Sequence, residues 1–305
     1  MASLGLLMKV GSLCTGYGGL EMAVESVFGS TDLRFVSDID KDVSTLLAHH
    51  HPNVPNLGDL TKVNWNDIEK VDLLCAGYPC QPFSTAGKRK GEDDERAIFE
   101  YIADCISVLR PRNVLLENVS GHLTLGGTSV IATLTKLRYE CRWAVVQASD
   151  AFAPHKRARL FIWANNGDTE ISNGRCQELK TLEAASGQTA EFGKPDSSIT
   201  ADTSSKRLQG LRTERELGTR QETKCITWND YEPCIRRWEK VIKRPVPFPT
   251  NDKGVEPEFV EWMMGLPKGY VTETNLHRSA KLKMLGNGVV PQQAALAIRL
   301  LTTLF

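Results

Sequence analysis

Residues 6–29 read LLMKVGSLCTGYGGLEMAVESVFG, and the fold is decided by how this stretch changes character. Leu6 to Leu13 is mostly apolar and suits a buried strand. It runs into Thr15-Gly16-Tyr17-Gly18-Gly19, where glycines let the backbone turn sharply and approach a ligand closely. Leu20, Val24, Val27 and Phe28 then recur at helical spacing until Gly29 stops the pattern. Strand, glycine turn and helix in that order predict the first unit of an α/β layered protein.

The alternation continues. Arg34 to Asp38 reads as a short strand, and Val43, Leu46 and Leu47 suit a helix ending before Pro52. Val71 to Ala76 is a strand running into Gly77. Ile98, Ile102, Cys105, Ile106 and Leu109 make one helix face, closed by Pro111. Asn113 to Leu116, Trp143 to Gln147 and Leu160 to Ala164 read as further strands. Strands separated by helices predict a largely parallel sheet. At the far end, Pro291 opens a helix whose expected apolar face is Leu296, Leu300 and Leu304.

The chain has 305 residues, enough for two or three domains. It is 41% hydrophobic and 24% charged, which excludes collagen-like or wholly disordered chains. No apolar run is long enough to span a membrane, and the absence of a basic region before the first apolar stretch argues against a secretory signal. Lys+Arg and Asp+Glu are both 37, so a nucleic-acid partner would need a locally basic surface. Eight scattered cysteines form no CxxC pair and no zinc-type cluster, which predicts a reducing compartment, free thiols and no metal site.

Residues 165–227 differ. They are rich in Ser, Thr, Gly, Glu and Lys, and Phe192 is their only aromatic residue. Such a stretch cannot bury much core alone, so it is either linker or a loop-rich recognition segment. From Trp228 onward aromatic residues return, at Trp238, Phe248, Phe259 and Trp262.

Four groups of residues can carry chemistry, though each alone also reads as ordinary structure: a tight turn, a structural cysteine, a capping or solvated glutamate, and a solvated strand edge. The glycine turn is followed by Asp38, about 20 residues on, where an acid accepts hydrogen bonds from ribose hydroxyls. Asp59 adds a candidate contact to an adenine amino group. Second is Gly77-Tyr78-Pro79-Cys80-Gln81-Pro82-Phe83-Ser84, with a cysteine just past a strand end, where α/β proteins place their sites. A thiolate is a strong nucleophile even as a minor species, and the polar stretch Thr85 to Arg96 suits a closing loop. Third is Leu116-Glu117-Asn118-Val119, whose acid can be buried and used as a proton donor. Fourth is His155-Lys156-Arg157-Ala158-Arg159, where strand alternation puts Arg157 and Arg159 on one face.

The order of these motifs is decisive. The sequence resembles the DNA C5-cytosine methyltransferase family: SLCTGYGGLEMAV, GYPCQPFS, LLENV, HKRARLFIWA and MLGNGVVP occur in family order from Ser12 to about Arg299. The resemblance implies a Rossmann-like, S-adenosyl-L-methionine-dependent methyltransferase fold with a smaller, loop-rich target-recognition domain. It divides the chain into a catalytic and cofactor-binding domain over 1–164, a variable target-recognition region over 165–248, and a remainder over 249–305 whose terminal helix returns to the catalytic domain.

The resemblance also implies roles. Cys80 attacks C6 of a flipped-out cytosine, Glu117 hydrogen-bonds or protonates ring N3, and Arg157 and Arg159 hold the base and nearby oxygens. Cys14, Thr15, Gly16, Gly18, Gly19, Leu20, Asp38, Ile39, Asp59, Pro79, Asn287 and Gly288 would line the cofactor. Gln81, Ser84 and Asn118 would meet the substrate. Four positions depart from the family pattern. Cys14 stands where a large aromatic usually packs on adenine, so that stacking is either weaker or supplied elsewhere, by Ile39 or Tyr17. Asp38 replaces a glutamate, His155 a glutamine, and Gly288 the commoner serine or alanine.

The expected partner is double-stranded DNA, read by a monomeric cytoplasmic enzyme of bacterial or phage origin that is nucleoid-associated in use and accompanied by neither membrane nor metal. The rivals are an RNA cytosine methyltransferase and an inactive DNA-binding relative. Residues 165–245 hold 14 Lys+Arg against 13 Asp+Glu, so specific contacts rather than bulk attraction are expected there, with Arg207, Arg212, Arg215 and Arg220 as candidates.

Overall fold

The structure is a computed structural model and describes residues 7–79, 92–124, 126–167, 177–178 and 226–303. Its chain divides into two units, Met1–Val146 with Ala158–Gln188 and Ala294–Phe305, and Gln147–Arg157 with Thr189–Gln293.

The first unit is built on a seven-stranded sheet of β1 (Met8–Leu13), β2 (Thr31–Phe35), β3 (Leu73–Gly77), β4 (Asn113–Val119), β5 (Tyr139–Val146), β6 (Arg159–Asn166) and β7 (Gln177–Glu178), in the order β2-β1-β3-β4-β6-β5-β7. Helices α1 (Gly19–Phe28), α2 (Lys41–His50), α3 (Glu92–Leu109) and α4 (Gly127–Lys136) lie between strands in sequence. The β1–β2, β1–β3, β3–β4 and β5–β7 pairs are parallel, whereas β6 is antiparallel to both β4 and β5. The expectation of a largely parallel sheet therefore holds, with one reversed strand that the periodicity did not reveal.

Both faces of the central strands are buried, which explains their unbroken apolar runs. Leu74, Ala76, Val114, Leu116, Leu160 and Ile162 join one core with Ile102, Ile106 and Leu109 of α3 and Leu134 of α4. Leu73, Cys75, Leu115, Phe161 and Trp163, of opposite parity, are buried too. Each Ile or Leu so enclosed contributes about 1.5–3 kcal/mol.

Local chemistry fixes the element ends. The Asp40 side chain caps α2 by accepting from the N–H groups of Asp42 and Val43. Gly11 leaves room for the side chain of Phe35, its partner on parallel β2: a Cβ there would lie 2.3 Å from the Phe35 ring. Two expectations shift. β2 begins at Thr31 and ends at Phe35, so Asp38 lies beyond the strand rather than at its last residue. The last helix (Pro291–Thr302) buries Ala294, Ala297, Ile298 and Leu301, while Leu296 and Leu300 are only partly covered. Small alanines permit that closer face to be the inner one.

The second unit contains α5 (Glu232–Ile242), α6 (Pro257–Met263) and α7 (Arg278–Asn287), with a two-stranded ribbon of β8 (Thr250–Asn251) and β9 (Gly254–Val255). Trp238 and Trp262 are wholly buried, and the Trp238 indole donates to the Trp262 carbonyl at 2.9 Å. Glu261 is buried but satisfied, accepting from the N–H groups of Gly269, Val271 and Thr272.

Candidate active site

In the first unit the sequence-predicted residues gather at the C-terminal ends of β1, β3 and β4. The turn after β1 starts at Cys14 (φ 50°) and passes Gly16 and Gly18 at φ 55° and 86°, left-handed conformations that favour glycine. A Cβ on Gly16 would meet nothing within 4 Å, so the backbone there faces open space. The turn is tied down on its other side. Gly16 N–H donates to Asp38 Oδ2 at 2.9 Å, and Asp40 N–H donates to Asp38 Oδ1 at 3.0 Å. Thr15 N–H donates to the Ser37 carbonyl, and the Ser12 hydroxyl to Thr15 Oγ1.

Asp38 thus braces the glycine turn against the start of α2. Asn56 was not singled out from the sequence, yet it holds Asp38 from both sides. It accepts from the Asp38 N–H at 3.0 Å and donates to the Asp38 carbonyl at 3.2 Å. The only sequence cue is its place in a Pro-Asn-Leu-Gly turn. Of the two side chains expected to replace the missing aromatic, Tyr17 is buried at 1% exposure and Ile39 is 73% exposed, which leaves Ile39 to offer an apolar surface. Burial, then the nearby Asp38 charge, pushes the Cys14 thiol up to about 12. It stays a neutral, inert thiol. Asp59 caps a short turn, accepting from the Thr61 N–H and hydroxyl and pairing with Lys62 at 3.1 Å.

Glu117 is buried on β4 and pairs with Arg159, whose Nε lies 3.0 Å from Oε1. The register explains the meeting. Glu117 stands opposite Phe161 and Val119 opposite Arg159, so Glu117 and Arg159 share one sheet face and touch diagonally. Gly77, paired with Glu117 at the end of β3, links this pair to the glycine turn. A Cβ on Gly77 would lie 3.5 Å from Glu117 Oε2, 3.8 Å from the Cys14 carbonyl oxygen and 3.8 Å from Leu20 Cδ1. Asn118 Nδ2 donates to the Tyr78 carbonyl at 3.3 Å. Pro79 is exposed just beyond. Cys80, Gln81 and Ser84, with Arg207, Arg212, Arg215 and Arg220, lie outside the described residues.

Alternation does not govern Arg157, which corrects the sequence reading. β6 begins at Arg159, and Arg157 has φ 36°, so the two arginines are not on one strand face. Arg157 belongs to the second unit and donates to the carbonyls of Gly286 at 2.9 Å and Gly288 at 2.6 Å, on either side of Asn287. Gln293 Nε2 in turn donates to the Arg157 carbonyl. Asn287 and Gly288 therefore sit in the second unit at the end of α7.

Among the described residues no His/Cys/Asp/Glu group could hold a metal, and no helix is long and apolar enough to cross a membrane. Cys14, Cys75, Cys105, Cys141 and Cys234 are free thiols.

A glycine turn braced by an acid, beside a buried acid–arginine pair on adjoining strands, gives an α/β protein with its candidate site at the strand ends. The family is shown by residues 8–300, which match the C-5 cytosine-specific DNA methylase model, and the chain belongs to that family. It is 36% identical over 163 residues to the Type II methyltransferase M.DsaV of Dactylococcopsis salina, covering 51% of this chain and 45% of that protein. It is 33% identical over 166 residues to M.HhaI of Haemophilus parahaemolyticus, covering 53% and 50%. The chain spans about half the length of these relatives.

Its fold is shared with the S. pombe Dnmt2 methyltransferase, at TM-score 0.63 and 16% identity over 97% of this chain and 98% of that one. A putative DNA modification methyltransferase from an E. coli prophage superposes at TM-score 0.60 and 17% identity, over 97% and 99%. The sheet is accordingly the Rossmann-like one of this family.

Proposed function

We propose that this chain is a DNA (cytosine-5-)-methyltransferase that acts on a specific duplex site through a covalent bond between Cys80 and C6 of a flipped-out cytosine. One observation carries the reading. The buried Glu117–Arg159 pair stands beside Gly77, from which the chain runs through Tyr78 and Pro79 to Cys80.

Cytosine C5 is a poor nucleophile while the ring is aromatic. Attack of the Cys80 thiolate forms the S–C6 bond and moves electron density toward N3, where Glu117 shares or donates a proton. Arg159 holds Glu117 in place and offers further N–H donors to the base. Attack from above the ring plane requires the base to leave the duplex stack.

S-adenosyl-L-methionine, when bound, supplies the methyl group taken by C5. The residues present fit it. The open backbone at Gly16 can approach the ligand closely, Asp38 can accept from ribose hydroxyls, and exposed Ile39 can pack on the adenine. Loss of the C5 proton and departure of Cys80 then restore aromaticity and leave 5-methylcytosine.

Residues 1–164 would carry this chemistry and 165–248 the choice of DNA site, with 249–305 supplying the rest of the small lobe and the last helix. The deciding experiment is a covalent trap. A duplex with 5-fluorocytosine at the site mapped by 5-methylcytosine sequencing should capture the wild-type protein, because fluorine cannot leave as the proton does. Cys80→Ser should neither methylate nor be captured. Methylation by wild type with no adduct at the same site would overturn the mechanism.

A further inference from the structure

The β3–β4 ladder ends at the Gly77–Glu117 pair, so Tyr78 is the first residue of its chain beyond the sheet. Pro79 comes next and has no N–H with which to be held. Tyr78 is nevertheless buried, at 5% exposure. Its hydroxyl lies 3.0 Å from Nε2 of His122, a buried hydrogen bond across 44 positions of sequence. The rings of Tyr78 and His122 meet edge to face at 5.6 Å, and Phe99 packs on Tyr78 at 5.7 Å.

His122 has a seat of its own. It lies in the short turn after β4, under two glycines: a Cβ on Gly126 would come within 3.0 Å of His122 Cε1, and one on Gly127 within 3.0 Å of the His122 carbonyl oxygen. Burial holds the imidazole below its ordinary pKa, so it is neutral around pH 7. A neutral ring can serve the tyrosine as acceptor or donor, according to its tautomer.

We propose that Tyr78 and His122 are positioning residues for Cys80. Their hydrogen bond fixes the peptide two positions before the nucleophile and thereby sets the rate of methyl transfer, not the affinity for cofactor or DNA. The inference rests on the reading of Cys80 given above. The partner of a reacting group, held by a group outside the reaction, commonly governs rate by about 10–100-fold through placement alone.

The test uses the full chain, S-adenosyl-L-methionine and a duplex carrying the mapped site. Tyr78→Phe deletes one oxygen and should slow single-turnover methyl transfer about tenfold. The calorimetric Kd for cofactor and the KM for DNA should stay within about twofold. His122→Leu should match it, His122→Gln should recover most of the rate, and Tyr78→Phe/His122→Leu should be no slower than either single variant.

Ile106→Val, in α3 two helical turns past the Phe99 that packs on Tyr78, provides a control for stability alone. It should lower the melting temperature while leaving the rate unchanged. The proposal is overturned if Tyr78→Phe keeps its rate, if rate and affinities fall together, if the two losses multiply, or if Ile106→Val slows transfer equally. Failure of wild type to be trapped by 5-fluorocytosine would instead overturn the Cys80 reading, and that result is separate from any comparison among the variants.

Discussion

Arg159 Nε lies 3.0 Å from Glu117 Oε1, and both side chains are largely shielded from water. Removing one member of such a pair leaves the other charge buried and uncompensated. Arg159→Ala should therefore destabilise the protein by about 3 kcal/mol in urea unfolding. Glu117→Gln keeps the shape and should cost less stability, but it should slow methyl transfer by about 10²–10⁴-fold. Equal losses of stability and rate in both variants would make the pair merely structural.

Asp38 braces Gly16, and in the proposed function it would also accept from the ribose. Asp38→Ala should weaken S-adenosyl-L-methionine binding by about 10–150-fold in calorimetry. Asp38→Asn retains one carbonyl oxygen and should lose less. If Asp38→Ala binds cofactor normally, the ribose lies elsewhere.

Glu21, in the first turn of α1, is buried, and desolvation raises its pKa, offset in part by the Ser12 hydroxyl and a backbone N–H. Because the unfolded chain releases this proton first, near 4.5, stability falls as pH rises from there through the higher folded value. Glu21→Gln removes that dependence. At pH 7 the variant should be more stable than wild type by about 1 kcal/mol or more, and the gain should shrink on acidification to pH 4.5. Melting temperatures across that window decide it, and a gain independent of pH would contradict the titration.

Residues 165–245 should carry the choice of site, since the catalytic motifs flank the segment and none falls within it. Grafted into a related methyltransferase, the segment should move methylation to the present protein's sequence, as each good base contact is worth about 1–3 kcal/mol of discrimination. An active chimera that keeps its host's site would make the segment a spacer.

The strands were legible because both sheet faces are covered, which writes runs such as Leu73-Leu74-Cys75-Ala76 and Leu160-Phe161-Ile162-Trp163 into the sequence. Strand direction was not, because apolar runs read alike both ways; hence the reversal of β6 was missed. Glu117 and Arg159 were identified by type and order, but their contact depends on register. Arg157 misled because a period-two argument was extended two residues past the true start of a strand, through a left-handed φ. Tyr78 stands inside the Gly77 to Ser84 stretch but without a role of its own, and nothing local points to His122, because their bond spans 44 positions.

The reversed strand also sets the acid–arginine pair apart from the point where β6 ends. β6 begins with Arg159 beside Val119, at the end of the sheet where the Glu117–Arg159 pair lies, and its other end sets Asn165 against Asn113. The chain thus departs from the sheet at the end remote from Glu117. Insertions or deletions after Gly167 pull on that remote end, with the length of a fully paired strand between them and Arg159. A change of length just past Gly167 would therefore be separated from the arginine that meets Glu117 by the whole paired length of β6.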